Sequence, residues 1–283
     1  MQKHAKENEK ATPNRQFRRS HHLEQLTWFS EYATYNLPPG KPFIPMRYYV
    51  NLHKGGMFFY VLALMLYFDN FSTGAYLYLA LHGSYGMFWI LKDMVFPDPG
   101  FYAPVSLGSF LMPFPVALIP YMLPAYWMIS AHTQVSNERM FACLMIYMLG
   151  LMLVMLTDAQ KYLVLRERKG LITHCMMGWS RNMNYVGEML LYSGIGLLVQ
   201  RWETWMIFSY MWGVVFVIRM LVKDYSLSKK EGWPDYYHKT WFLLPKLNND
   251  ALLSAIVYSL GLAAGYVFVT NGFERTLRQL FLD

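Results

Sequence analysis

Four residues in the stretch SRNMNYVGE, residues 180–188, can bind or carry charge in a chain that is otherwise mostly apolar: Arg181, Asn184, Tyr185 and Glu188. With 184–188 helical, Asn184 and Glu188 lie four apart on one face, and Arg181 lies about one turn earlier on roughly the same side. A guanidinium, an amide and a carboxylate then converge. Arginine holds phosphate through paired hydrogen bonds, while the amide and the carboxylate can meet a carboxamide or a ribose. The spacing therefore suits the polar end of an anionic or amide-bearing cofactor. It suits equally an Arg181–Glu188 ion pair that caps a short helix, and spacing alone leaves both open.

Further ionisable residues fall within apolar runs: His82 in LALHGSYG, Asp158 in LTDAQK, and Arg219. A charged or titratable group at membrane depth is costly, so each is a functional candidate. Each also has a structural explanation: His82 bonded to a neighbouring carbonyl, Asp158 paired with Lys161, Arg219 reaching to the membrane surface. Asp158, Glu188 and Arg219, with Lys223 and Asp224 just beyond, fall at one expected membrane face, which favours a shared pocket.

The elements that must position these groups are membrane helices. Of 283 residues, 55% are hydrophobic and only 15% charged, which departs from a soluble domain in both directions. Seven apolar runs approach the roughly 20 residues needed to cross a bilayer core. They are Gly55–Phe68 (with a start as early as Tyr48), Phe71–Leu91, Pro104–Ser130, Met140–Leu165, Val186–Val199, Thr204–Val222 and Ala251–Thr270. The expected fold is all-α, a polytopic integral membrane bundle of about seven helices (six to eight). Pro113, Pro115, Pro120 and Pro124 predict that the third span is kinked or broken. Seven spans put 20 of the 25 basic residues on one side and Arg139, Arg201, Arg275 and Arg278 on the other, with Arg219 inside a span. The amino terminus then faces the cytoplasm or the equivalent compartment of an organelle.

Residues 1–54 form a polar, basic extension before the membrane domain, 55–283, and alone would be mobile unless protein partners hold it. No secretory signal pattern opens the chain. Arg15, Arg18 and Arg19 suit a mitochondrial presequence, whereas Glu7 and Glu9 do not, so the endoplasmic reticulum and the mitochondrial inner membrane both stay open. The net charge of +7 sits mainly at membrane boundaries and points to lipid as the partner, not nucleic acid. Cys143 and Cys175 are too few for a disulfide framework or a metal cluster, and no metal is expected.

NYVGE, Asn184 to Glu188, resembles the Asn-Tyr-x-Gly-Glu motif of the steroid 5-alpha-reductase family. SRNMNY is similar to the Arg-His-Pro-Asn-Tyr motif of the related sterol reductases and isoprenylcysteine carboxyl methyltransferases. KDYSLSKKEGWPDYYHKTWFLLPKL, Lys223 to Leu247, is similar to the closing segment of the same group. The resemblance covers about residues 150–250. It implies a cofactor site for NADPH at Arg181, Asn184, Tyr185, Glu188, Asp224, Tyr236, Tyr237 and Lys239. It implies hydride transfer to a carbon–carbon double bond of a steroid-like or isoprenoid lipid. The proton donor lies outside the matched region, and Tyr85, His82 and Asp158 are the candidates. The His-Pro of the related motif is replaced by Asn182 and Met183, closer to the 5-alpha-reductase side. Two other functions remain open: an S-adenosylmethionine-dependent methyltransferase of a membrane-bound substrate, and a non-catalytic subunit of a larger membrane complex that needs no cofactor. The 21 Met and the 22 Tyr, 19 Phe and 9 Trp could furnish protein-facing surface for the latter.

Overall fold

The computed structural model describes residues 20–271, apart from the side chains of 249 and of 266–271. The basic tail with Arg15, Arg18 and Arg19, the expectation that partners hold it, and the outer-side Arg275 and Arg278 lie outside these residues. The protein is an all-α membrane bundle. Among the described residues, sheet is limited to an antiparallel pair of two-residue strands, β1 (Ile44–Pro45) and β2 (Pro104–Val105).

Helix α1 (His21–Tyr35) is started by Ser20, whose hydroxyl accepts from the Leu23 N–H, and stops before Pro38 and Pro39. Helix α2 (Arg47–Tyr67) begins inside the stretch expected as an extension, close to the earlier start at Tyr48. The boundary at residue 54 thus falls within a helix, because the polar Arg47, Asn51, His53 and Lys54 line its inner half. Asn70 turns the chain into α3 (Thr73–Val95), accepting from Ser72 N and donating to the Ile129 carbonyl at 2.7 Å. Helices α2 and α3 pack closely: Gly86 backs onto the Lys54 carbonyl with no room for a methyl group.

The third segment is broken as its prolines require. It comprises α4 (Leu107–Leu111), a widened π turn at Phe114–Leu118, and α5 (Ile119–Ser130) with Pro124 inside it. The long α6 (Asn137–Glu167) follows, capped by Ser136. After the short α7 (Cys175–Trp179) comes α8 (Met183–Val199). Helices α6 and α8 form the most extensive helix pair. Glycines make the close approach possible: a methyl on Gly187 would sit 2.8 Å from the Gly150 carbonyl oxygen. The sixth segment is α9 (Trp202–Tyr210), a second π stretch at Met211–Phe216, and α10 (Val217–Leu227). The described residues close with α11 (Trp233–Lys239) and α12 (Ala251–Asn271).

Each of the seven expected stretches is helical over most of its length. Leu107–Ser130, Asn137–Glu167 and Trp202–Leu227 are long and apolar enough to cross a membrane on length and composition alone. Helices α2 and α3, of 21 and 23 residues, are long enough but carry polar inner halves. The residues that dilute their apolar character are the ones that meet inside the bundle.

Candidate functional site

Ion pairs gather helix ends at one side of the bundle. Arg47 at the start of α2 pairs with Asp93 near the end of α3 at 2.8 Å, and Lys92 pairs with Asp158 near the end of α6. Lys161, one turn further along α6, holds Asp98 at 2.6 Å, and Arg181 before α8 holds Asp224 of α10 at 2.8 Å. The expected Asp158–Lys161 pair is therefore replaced by two pairs with another helix and its following loop, because α3 brings Lys92 and Asp98 alongside. Burial raises the Asp98 carboxyl, but the Lys161 ammonium, its hydrogen bond and the Gly100 N–H outweigh this and leave it below the usual range.

The two motifs singled out in the sequence meet here. Arg181, 5% exposed, donates to Asp224, to the Thr240 carbonyl and to the Tyr237 carbonyl, and lies 4.6 Å over the Tyr237 ring. Asn182 donates to the Phe242 carbonyl at 2.8 Å, and the Lys223 ammonium donates to the Arg181 carbonyl at 2.7 Å. Tyr236 is buried and donates to the Met177 carbonyl; burial pushes its hydroxyl up despite the nearby Arg181. Arg181, Asp224, Tyr236 and Tyr237 thus clamp the closing segment, residues 223–247, onto the start of α8. The Arg181–Glu188 pair weighed from spacing does not form; Asp224 takes the guanidinium instead. Lys239 is exposed at the end of α11, next to Thr240 of this clamp.

Asn184, Tyr185 and Glu188 are half-buried on α8. The Asn184 amide oxygen is buried with no hydrogen-bond partner. Tyr185 packs 5.0 Å from Phe216 and hydrogen-bonds with Arg219. Among the described residues, Arg219, Lys223 and Glu188 have no ion-pair partner, although Lys223 lies within electrostatic reach of Asp224, Asp158 and Lys161. The side of the bundle that the sequence made its basic face therefore holds two cations, Arg219 and Lys223, outside any ion pair among the described residues.

Deeper in lies a cluster that the sequence reading only half identified. Lys54 donates from Nζ to the Tyr192 hydroxyl at 2.8 Å and the Tyr85 hydroxyl at 3.2 Å, with the Tyr85 and Trp89 rings 4.3 and 5.1 Å away. At 1.5 Å per residue these three residues lie about 10–15 Å along their helices from the inner ends of α2, α3 and α8. Tyr85 and Tyr192 are fully buried, and Tyr121 stacks on Tyr192 at 4.5 Å. His82 bonds the Tyr78 hydroxyl at 3.1 Å through Nδ1, not a carbonyl, and its Nε2 is buried without a partner. Glu188, one turn before Tyr192, acts electrostatically on Lys54, Tyr85 and Tyr192. Of the candidate proton donors, Tyr85 belongs to this cluster, His82 borders it, and Asp158 is engaged by Lys92. Lys54 and Tyr192 were missed: Lys54 sits beside two glycines and reads as a loop residue, while the signal for Tyr192 is its place four residues after Glu188.

Residues 102–239 match a family model described as a protein of unknown function, DUF1295. The matched region runs from just before the broken third segment to the end of α11, taking in Arg181, Asp224, Tyr236 and Tyr237 of the clamp, stopping short of Thr240 and Phe242, and leaving out Lys54 and Tyr85. No curated protein matches the chain.

Proposed function

We propose that the chain is a membrane-embedded, NADPH-dependent reductase of a carbon–carbon double bond in a steroid-like or isoprenoid lipid. The observation that carries this reading is the Lys54 ammonium joining two buried tyrosine hydroxyls beneath a charged mouth. The grouping of the matched family with steroid 5-alpha-reductase-like proteins supports it. The mouth fits a dinucleotide in its donor set: Arg219 and Lys223 lack carboxylate partners and suit phosphate, and the unpartnered Asn184 oxygen suits an amide or hydroxyl donor. Glu188 is the matching acceptor at the same mouth. NADPH, when bound, supplies the hydride. Lys54, Tyr85 and Tyr192 polarise an oxygen conjugated to the double bond and supply the proton, while the surrounding aromatic core keeps water out. The clamp through Arg181, Asp224 and Tyr236 holds the closing segment against α8 rather than reaching for a ligand, and this is the feature that favours a second reading, a subunit that keeps the fold without the chemistry. Binding of NADPH and, separately, S-adenosylmethionine to the purified protein, read as thermal stabilisation, tests the proposal. Stabilisation by NADPH that is weakened in Glu188→Gln and in Asn184→Ala is the expected result; unchanged NADPH affinity in both variants refutes the assignment, and stabilisation by neither compound favours the subunit.

A further inference from the structure

The Lys54 cluster is rich in donors and lacks an acceptor to receive them. An ammonium has three N–H groups. Two point at Tyr85 and Tyr192, and the partly accessible side chain leaves the third without a partner. The two tyrosine oxygens accept from Lys54, so each keeps its own O–H to donate, and neither has an acceptor among the described residues. The Tyr121 hydroxyl, on the ring stacked against Tyr192, is buried with no partner either. No carboxylate among the described residues lies within ion-pair distance of Lys54; Glu188 influences it without reaching it. A positive charge and several unmet donors held in an aromatic interior call for an oxygen that is itself charged. A ketone or alcohol oxygen is neutral and offers two lone pairs, whereas a carboxylate brings a full charge and about four acceptor positions.

We propose that Lys54, Tyr85 and Tyr192 seat a carboxylate, and that the lipid taken by this chain is an acid. The inference rests on reading the cluster as the lipid end of the reductase site, and it names the polar group that the lipid carries there. Lys54 neutralises the acid, the two phenols donate to its oxygens, and the apolar body of the lipid stays among the spans.

The test uses the full chain in nanodiscs of zwitterionic lipid at neutral pH, with labelled oleate and a sterol carboxylate as probes and their methyl esters as controls. At least one acid is expected to bind about tenfold or more tightly than its ester. That preference should collapse in Lys54→Gln, survive in Lys54→Arg, and fall in Tyr85→Phe and Tyr192→Phe, which keep the ring packing if Lys54→Gln fails to fold. Equal binding of both acids and their esters overturns the proposal, as does a preference that survives Lys54→Gln. Acid binding that emerges only in Glu188→Gln also overturns it, since Glu188 would then be the counter-charge. NADPH stabilisation measured on the same wild-type sample separates the two readings. If it persists without acid preference, this inference fails alone; acid preference without it leaves a lipid-acid site and removes the reductase.

Discussion

Replacing Arg181 by methionine leaves Asp224 as a carboxylate facing no guanidinium in a site where the two side chains are only 6% and 2% exposed. Breaking one side of a buried pair costs about 3–5 kcal/mol, because the remaining charge is left desolvated. Two backbone carbonyls, of Tyr237 and Thr240, lose their donor in the same change. Lys223 acts on Asp224 from nearby, which places the expected loss at the lower end, about 3 kcal/mol. The Arg201–Glu203 pair is the internal reference: its side chains are 43% and 28% exposed, and Arg201→Ala should leave stability nearly unchanged. The double change Arg181→Met with Asp224→Leu should recover most of the loss, since no unpaired charge remains. Unfolding in detergent, combined with proteolysis in the loop around 228–232, reads both stability and release of the closing segment. An Arg181→Met protein within about 1 kcal/mol of wild type would refute the clamp. So would an unchanged apoprotein that has lost only its stabilisation by NADPH, because Arg181 would then serve the cofactor.

Other outcomes follow from the same geometry. Gly187→Ala should cost about 1–3 kcal/mol in thermal unfolding, since its new methyl meets the backbone of Gly150 and Val154 at 2.8 Å. Gly56→Ala, where nothing lies within 4 Å, should be neutral or gain up to about 1 kcal/mol from helix propensity; equal effects at the two sites would dismiss the close seam. The Asp98 carboxyl titrates below its usual range in the folded protein, so its pairing with Lys161 contributes stability above the unfolded value of about 3.9 and loses it as pH falls through the lower folded value. Wild type should therefore show an acid-side loss of stability in that window that Asp98→Asn lacks, and superimposable acid profiles would contradict the pairing.

The apolar runs were legible because crossing a bilayer constrains length and composition more tightly than packing in water does, and the proline-rich third run announced its own break. The start of α2 was less so: Arg47, Asn51 and Lys54 read as a polar extension until α3 supplies their partners Asp93, Trp89 and Tyr85. The motif resemblance correctly joined residues 180–188 to 223–247, but not the direction in which Arg181 points. Its choice among Glu188, Asp224 and a ligand depends on where α10 ends, 43 residues away. Asp158 shows the same limit: Lys161 is near in sequence, Lys92 is near in space. Tyr192 looks like any core aromatic, one of 22 tyrosines, until the helix period sets it under Glu188.

The π stretch at Met211–Phe216 has a consequence for how the chain can vary. Such a turn holds one residue more than an α-helical turn while the helix on either side keeps its phase. Phe208 therefore points into the aromatic core and Arg219 into the mouth with a spare residue stored between them. A one-residue deletion within 211–216 can be absorbed by tightening that turn to α geometry, with both flanking faces still aimed as before. The same deletion in the uninterrupted α6 would rotate everything beyond it by about 100° and turn one side of the glycine seam away from α8. The spacing between core and mouth is thus more forgiving than the glycine seam.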